Sequence, residues 1–213
     1  KLTVNRAGEN IPFDIIRDKI PVHCIDAAFM INDTTAYIKL SKFTRTTYKE
    51  FKEAYQNLLS QGMKRLLFDL RDNTGGYFDQ SLMLSNEFLE KGDGIVYMEG
   101  LHRPRQDYDA DGRGSLKDIA ISVLIDEGTA SSSEIFSGAI QDNDRGVIVG
   151  RRSFGKGLVQ EPINFTDGSG IRLTAVLFGR RIALGAQNRG IGQFFFLIFS
   201  GDTEIDNLDI AFF

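Results

Sequence analysis

Short apolar runs bounded by turn residues recur along this chain, and between them lie stretches with helical spacing. Leu2-Thr3-Val4 and Ile11 to Ile16 flank Asn5-Arg6-Ala7-Gly8-Glu9-Asn10, which predicts a hairpin within residues 1–18. Asp18-Lys19-Ile20-Pro21 reads as a linker. Strands are expected over Val22 to Met30 and Ala36 to Phe43, parted by the turn-prone Asn32-Asp33-Thr34-Thr35. Tyr48, Phe51, Tyr55, Leu58 and Leu59 then share one helical face between a cap at Thr46 or Thr47 and a stop at Gly62. That stripe is core packing rather than a ligand site. Lys64 to Arg71 (KRLLFDLR) is a buried strand, followed by Asp72-Asn73-Thr74-Gly75-Gly76 and a helix over Phe78 to Glu90. Ile119 to Ile125 (IAISVLI) is another buried strand, running through Asp126-Glu127-Gly128 straight into the helical start Ser131-Ser132-Ser133-Glu134. Val147-Ile148-Val149, a glycine-framed lysine, and a hairpin of Leu158 to Phe165 with Ile171 to Phe178 complete the readable pattern. Strands alternating with helices from Val22 to Phe178 predict an α/β layered core.

Composition narrows the function classes. With 213 residues, the chain can build one sizeable core and part of a second domain. A net charge of −4 with no basic stripe argues against nucleic acid as a partner. The most apolar patch, Gln193 to Ser200 (QFFFLIFS), is far too short for a membrane span. The single cysteine, Cys24, sits in an apolar run and reads as a buried, inert thiol. No signal peptide heads the chain, yet Lys1 starts abruptly inside a strand-like run, as a fragment or a mature form would.

The candidate chemistry lies between Gly128 and Gln160. A hydroxyl at a helix N-terminus sits where unpaired backbone N–H groups favour developing negative charge. Ser131-x-x-Glu134 is equally a capping box, and one serine can cap while another attacks. Phe154-Gly155-Lys156-Gly157-Leu158 sets one cation among apolar and glycine neighbours. Desolvation there would make Lys156 a base, whereas a plain surface turn would leave it an ordinary lysine. His23 and His102, the two histidines, have no motif around them, so a serine enzyme here would use a Ser–Lys couple. Asp107-x-Asp109-x-Asp111-Gly112 mimics a calcium loop, but Asp118 stands where the bidentate Glu belongs, and a solvated loop beside a cleft is expected instead. The glycine pair Gly75-Gly76 lacks the spacing of a phosphate cradle.

The run G-T-A-S-S-S-E-I followed by F-G-K-G-x-V-Q resembles the carboxyl-terminal-processing (tail-specific) serine peptidases. The resemblance implies that Ser131 is the nucleophile, that Lys156, twenty-five residues on, is the base, and that Gln160 orients the lysine. It also implies that D-L-R-x-N-x-G-G supplies an oxyanion amide from Gly75 or Gly76, paired with that of Ser132. By the same likeness the fold is a crotonase-like ββα spiral. Residues 1–18 would be the closing hairpin of a PDZ-like domain whose rest is absent, 19–178 the peptidase core, and 179–213 a divergent tail without an assigned role. Lys156 and Gln160 could not touch along a straight strand, so the chain is expected to bend between them with Gly155 and Gly157 supplying the freedom. The implied function is a serine endopeptidase acting on protein or peptide chains, in the periplasm or cell envelope, without cofactor or metal. A homo-oligomer is left open. The alternatives are a catalytically silent peptide-binding scaffold and a crotonase-type acyl-CoA enzyme on the same fold.

Overall fold

A computed structural model describes residues 1–16, 23–100 and 103–179. The linker at Asp18 to Pro21, His102 and the tail expected to diverge lie outside the described residues. The chain opens with β1 (Leu2–Arg6) and β2 (Glu9–Phe13), a hairpin turning on Ala7-Gly8 alone, both at positive φ. Such a two-residue turn matches the strand twist, which is why it is tighter than the six-residue turn expected. Next come β3 (Ile25–Met30), β4 (Thr35–Leu40), α1 (Thr47–Ser60), β5 (Arg65–Asp69) and α2 (Phe78–Asn86). A second hairpin, β6 (Gly94–Gly100) and β7 (Arg103–Asp109), leads to β8 (Ala120–Ile125), α3 (Ser132–Asp142) and β9 (Val147–Gly150). β10 (Leu158–Asn164) and β11 (Gly170–Gly179) follow.

The central sheet runs β3-β4-β5-β8-β9. Its last four strands are parallel, with Ile38, Phe68, Val123 and Ile148 in one row across them. β5 and β8 read as unbroken apolar runs because helices cover the sheet and leave almost no position wet. Phe68 of β5 stacks edge-on against Phe51 of α1 at 5.4 Å and Phe136 of α3 at 5.1 Å, and Phe88 closes the cluster on Phe136 at 5.7 Å. All four rings are buried, so this aromatic cluster fixes both helices to the sheet.

A second, antiparallel sheet has the order β10-β11-β6-β7. Here the structure corrects the sequence reading. Asp107 and Asp109 lie not in a loop but in an exposed edge strand over residues 103–109, whose partner β6 is not expected from the sequence, whereas residues 110–118 are outside strand and helix. Edge strands carry charge and proline to discourage further pairing, and RPRQDYD accordingly has no apolar alternation to betray it. Arg105 lies 3.9 Å over the Tyr97 ring and pairs with Asp107 at 2.8 Å. Asp111 accepts from Asn86 Nδ2 at 2.8 Å, and among the described residues no His/Cys/Asp/Glu group converges as metal ligands would. No described helix is long and apolar enough to cross a membrane.

Smaller differences have local causes. Thr46 precedes α1, but its hydroxyl donates to Glu50 Oε1 at 2.7 Å instead of capping the helix. α2 stops at Asn86 rather than Glu90, its end tightening into three-residue bonds from the Glu87 amide to the Leu84 carbonyl and the Phe88 amide to the Ser85 carbonyl (3.1 Å each), while the buried Glu87 carboxylate accepts from Tyr48 Oη (2.6 Å) and the Ser115 amide (2.7 Å). Cys24 is buried as expected, and burial pushes its thiol pKa up.

Candidate active site

Three loops leave the carboxyl ends of the neighbouring parallel strands β5, β8 and β9, the edge of an α/β sheet where ligands are generally met. They carry Gly75 and Gly76, Ser131 and Ser132, and Lys156 respectively.

The first loop is pinned at both ends. Buried Asp69 accepts from Tyr37 Oη at 2.7 Å and from Arg71 Nη2 at 2.6 Å, and also takes the Arg71 amide at 2.9 Å. Burial pushes the Asp69 pKa up, but these donors and nearby Lys39 outweigh it and hold the carboxyl below its usual range. Burial and that carboxylate raise the Tyr37 pKa to about 12. Farther along, Asn73 is fully buried. Its Nδ2 donates to the Leu40 carbonyl (2.8 Å), its Oδ1 accepts the Gly75 N–H (2.9 Å), and its carbonyl accepts from the Ala130 amide (2.9 Å) and Ser133 Oγ (3.0 Å). Asp126 Oδ1 takes the amides of Asp72 (2.9 Å) and Gly128 (3.0 Å), tying the first loop to the second.

Ser131 stands where β8 turns into α3, at φ 57 and ψ −116. A non-glycine residue at positive φ is strained, and a strained serine on a sharp strand-to-helix turn presents its hydroxyl at the sheet edge. Gly75 packs directly against it. A Cβ on Gly75 would lie 2.6 Å from the Ala130 carbonyl oxygen and 2.8 Å from both Ser131 Cβ and Ser132 N, so only glycine fits. Ser132 Oγ donates to the Gly76 carbonyl at 3.0 Å. Among the described residues, the N–H groups of Gly76 and Ser132 have no acceptor, whereas that of Gly75 is taken by Asn73.

The third loop, 151–157, is irregular, with Gly155 at φ 89. Half-buried Lys156 gives its amide to Glu134 Oε2 at 2.9 Å, the oxygen that also accepts the Ser131 amide at 2.8 Å. The two backbones are thus held within two hydrogen-bond lengths of each other. Gln160 lies in β10, and its backbone pairs with Thr174 beside a register shift between Val159 and Gln160. The extra residue of that shift, Ala175, lies in β11, and Leu158 to Gln160 run on as strand; Gly157 is not left-handed, so the glycine that turns this segment is Gly155, just before Lys156. His23 stands 3.6 Å from Glu50 with its ring largely exposed. Glu134, Asp126 and Asn73 were not singled out as site residues from the sequence, because Glu134 looked like an ordinary cap and the other two like turn residues.

The sequence profile of peptidase family S41 matches residues 34–191. The chain belongs to peptidase family S41. The match runs beyond Phe178, where the likeness was expected to fade. The "Probable CtpA-like serine protease" of Staphylococcus aureus is 36% identical over 174 residues, covering 81% of this chain and 35% of the relative. The protein of the same description from Staphylococcus saprophyticus is 33% identical over the same coverage. This S41 chain therefore spans about a third of the length of the curated relatives it matches. Among solved structures, the photosystem II D1 C-terminal processing protease superposes with a TM-score of 0.65 at 30% identity, over 77% of this chain and 45% of that one.

Proposed function

We propose that the chain is the catalytic core of a serine endopeptidase that cuts protein or peptide chains through a Ser131–Lys156 couple. The observation that carries this reading is strained Ser131 at the β8–α3 junction, its amide sharing one carboxylate oxygen with that of Lys156. The Lys156 amine takes the proton of the Ser131 hydroxyl as its oxygen attacks the scissile carbonyl. The oxyanion rests on the N–H groups of Gly76 and Ser132, which have no acceptor among the described residues. The ammonium of Lys156 then protonates the leaving amine as the C–N bond breaks; the regenerated Lys156 amine next takes a proton from water, whose oxygen attacks the acyl carbon, and returns that proton to Ser131 Oγ as the acid leaves. Gln160, in β10, orients Lys156.

Membership of the S41 family and the parallel-sheet core favour the crotonase-like ββα spiral as the scaffold. The β1–β2 hairpin would be the remnant of a PDZ-like domain, and the site of action the periplasm or cell envelope. Neither rival reading gains an observation of its own.

Hydrolysis of a denatured protein substrate, with fluorophosphonate labelling of Ser131, tests the proposal. Ser131→Ala should abolish both, and Lys156→Ala should lose at least about a hundredfold in kcat with the fold retained. Hydrolysis that survives Ser131→Ala overturns it.

A further inference from the structure

Glu134 does more than cap its helix. A capping glutamate needs one bond, to the amide of the residue that opens the helix, and Glu134 makes that bond to Ser131 at 2.8 Å. Its other three go to the lysine loop, 19 to 22 residues away in the chain. Oε1 accepts from Ser153 Oγ at 2.7 Å and the Gly155 amide at 2.6 Å, and Oε2 from the Lys156 amide at 2.9 Å. Glu134 is only 4% exposed, and Ser153 is buried beside it. A carboxylate has about four lone-pair sites, so this one is saturated.

From this we infer that Glu134 is the positioning residue of the site. One buried carboxylate sets where the base-bearing loop stands relative to the nucleophile-bearing turn. Two features separate this from plain structural support. All four donors lie on the two segments that must meet, and two of them are the amides of Ser131 and Lys156 themselves. With every lone pair engaged, Glu134 has none left to exchange a proton with substrate, so it acts through Lys156 and Ser131 and is not itself a catalytic residue. Other tethers, the Phe154 amide to the Thr129 carbonyl at 2.9 Å, the Arg151 amide to the Ile125 carbonyl at 3.2 Å and the exposed Arg151–Glu127 pair at 2.6 Å, fix the loop's approach upstream but not the direction of Lys156. The inference rests on the proposed Ser131–Lys156 couple.

Glu134→Gln tests it, since the amide has the shape of the carboxylate but turns a donor toward donors and loses half of the bonds. A misplacement of about 1 Å can cost a hundredfold in rate, so kcat should fall about a hundredfold while the circular dichroism spectrum is kept. KM should stay within about threefold, because the binding surface is untouched. Ser153→Ala removes one donor and leaves the carboxylate in place, and should lower kcat about tenfold at unchanged KM. If Glu134→Gln does not fold, Ser153→Ala decides alone. Full kcat in the folded Glu134→Gln variant, or in Ser153→Ala when that variant decides, overturns the inference, as does a loss confined to KM. Ser131→Ala run alongside keeps the two readings apart: hydrolysis surviving there sinks the couple, whereas activity lost there but kept in the Glu134 and Ser153 variants sinks only the positioning role.

Discussion

Asn73 Oδ1 accepts the Gly75 N–H at 2.9 Å, so of the two adjacent glycines it is the second whose amide faces no acceptor among the described residues. The sequence left Gly75 and Gly76 as equal candidates for the oxyanion donor. The geometry favours Gly76, with Gly75 serving as the element that lets the loop close on Ser131.

Asn73→Ala should therefore cost activity without touching any reacting group. The side chain bridges the Leu40 carbonyl and the Gly75 amide, and its loss frees the loop that carries Gly76. A fall in kcat of about tenfold to a hundredfold is expected, the scale of one weakened oxyanion donor. Steady-state kinetics on a peptide substrate checks this, and an unchanged kcat would assign the hole elsewhere.

Gly75→Ala should be worse than its size suggests. The added methyl meets the Ala130 carbonyl, Ser131 Cβ and Ser132 N inside contact distance, at a φ of 87 that alanine adopts only under strain. Positive φ alone costs about 1 kcal/mol or more, and the clash adds to it. The expected outcome is a lower unfolding midpoint together with loss of Ser131 labelling. Labelling at the wild-type rate would mean that the loop can back away without consequence.

Acid should weaken the fold partly through Asp69. Its folded pKa is depressed, so its contribution is complete above the unfolded value, about 3.9, and is lost as pH falls through the folded value. Asp69→Asn removes that titration. Urea midpoints should then drop less between pH 7 and pH 3 than in the parent, from a lower starting stability at pH 7. An identical drop in both proteins would clear Asp69 of any share in the acid response.

What was readable in the sequence was whatever local pattern writes down. The apolar runs of β5 and β8 and the stripe of α1 were clear because burial imposes period and composition on them. The junction at Ser131 could be read from a strand running into an acidic, serine-rich helix start. The β6–β7 hairpin was not, since an exposed edge strand of charged residues obeys no burial pattern. Glu134, Asp126 and Asn73 escaped for another reason. Each has a partner far along the chain, Leu40 for Asn73, Asp72 for Asp126 and Gly155 for Glu134, and nothing about Glu134 before an apolar helix tells a cap from a clamp.

Placing three loops on the ends of three paired strands has a bearing on the life of the chain before it is finished. Segments near residues 75, 131 and 156 come together only after β5, β8 and β9 have found one another in register. On the proposed reading, a nascent or half-unfolded copy therefore holds its cutting parts scattered, and cannot digest its siblings while they are most vulnerable. Topology alone would serve as the safety catch.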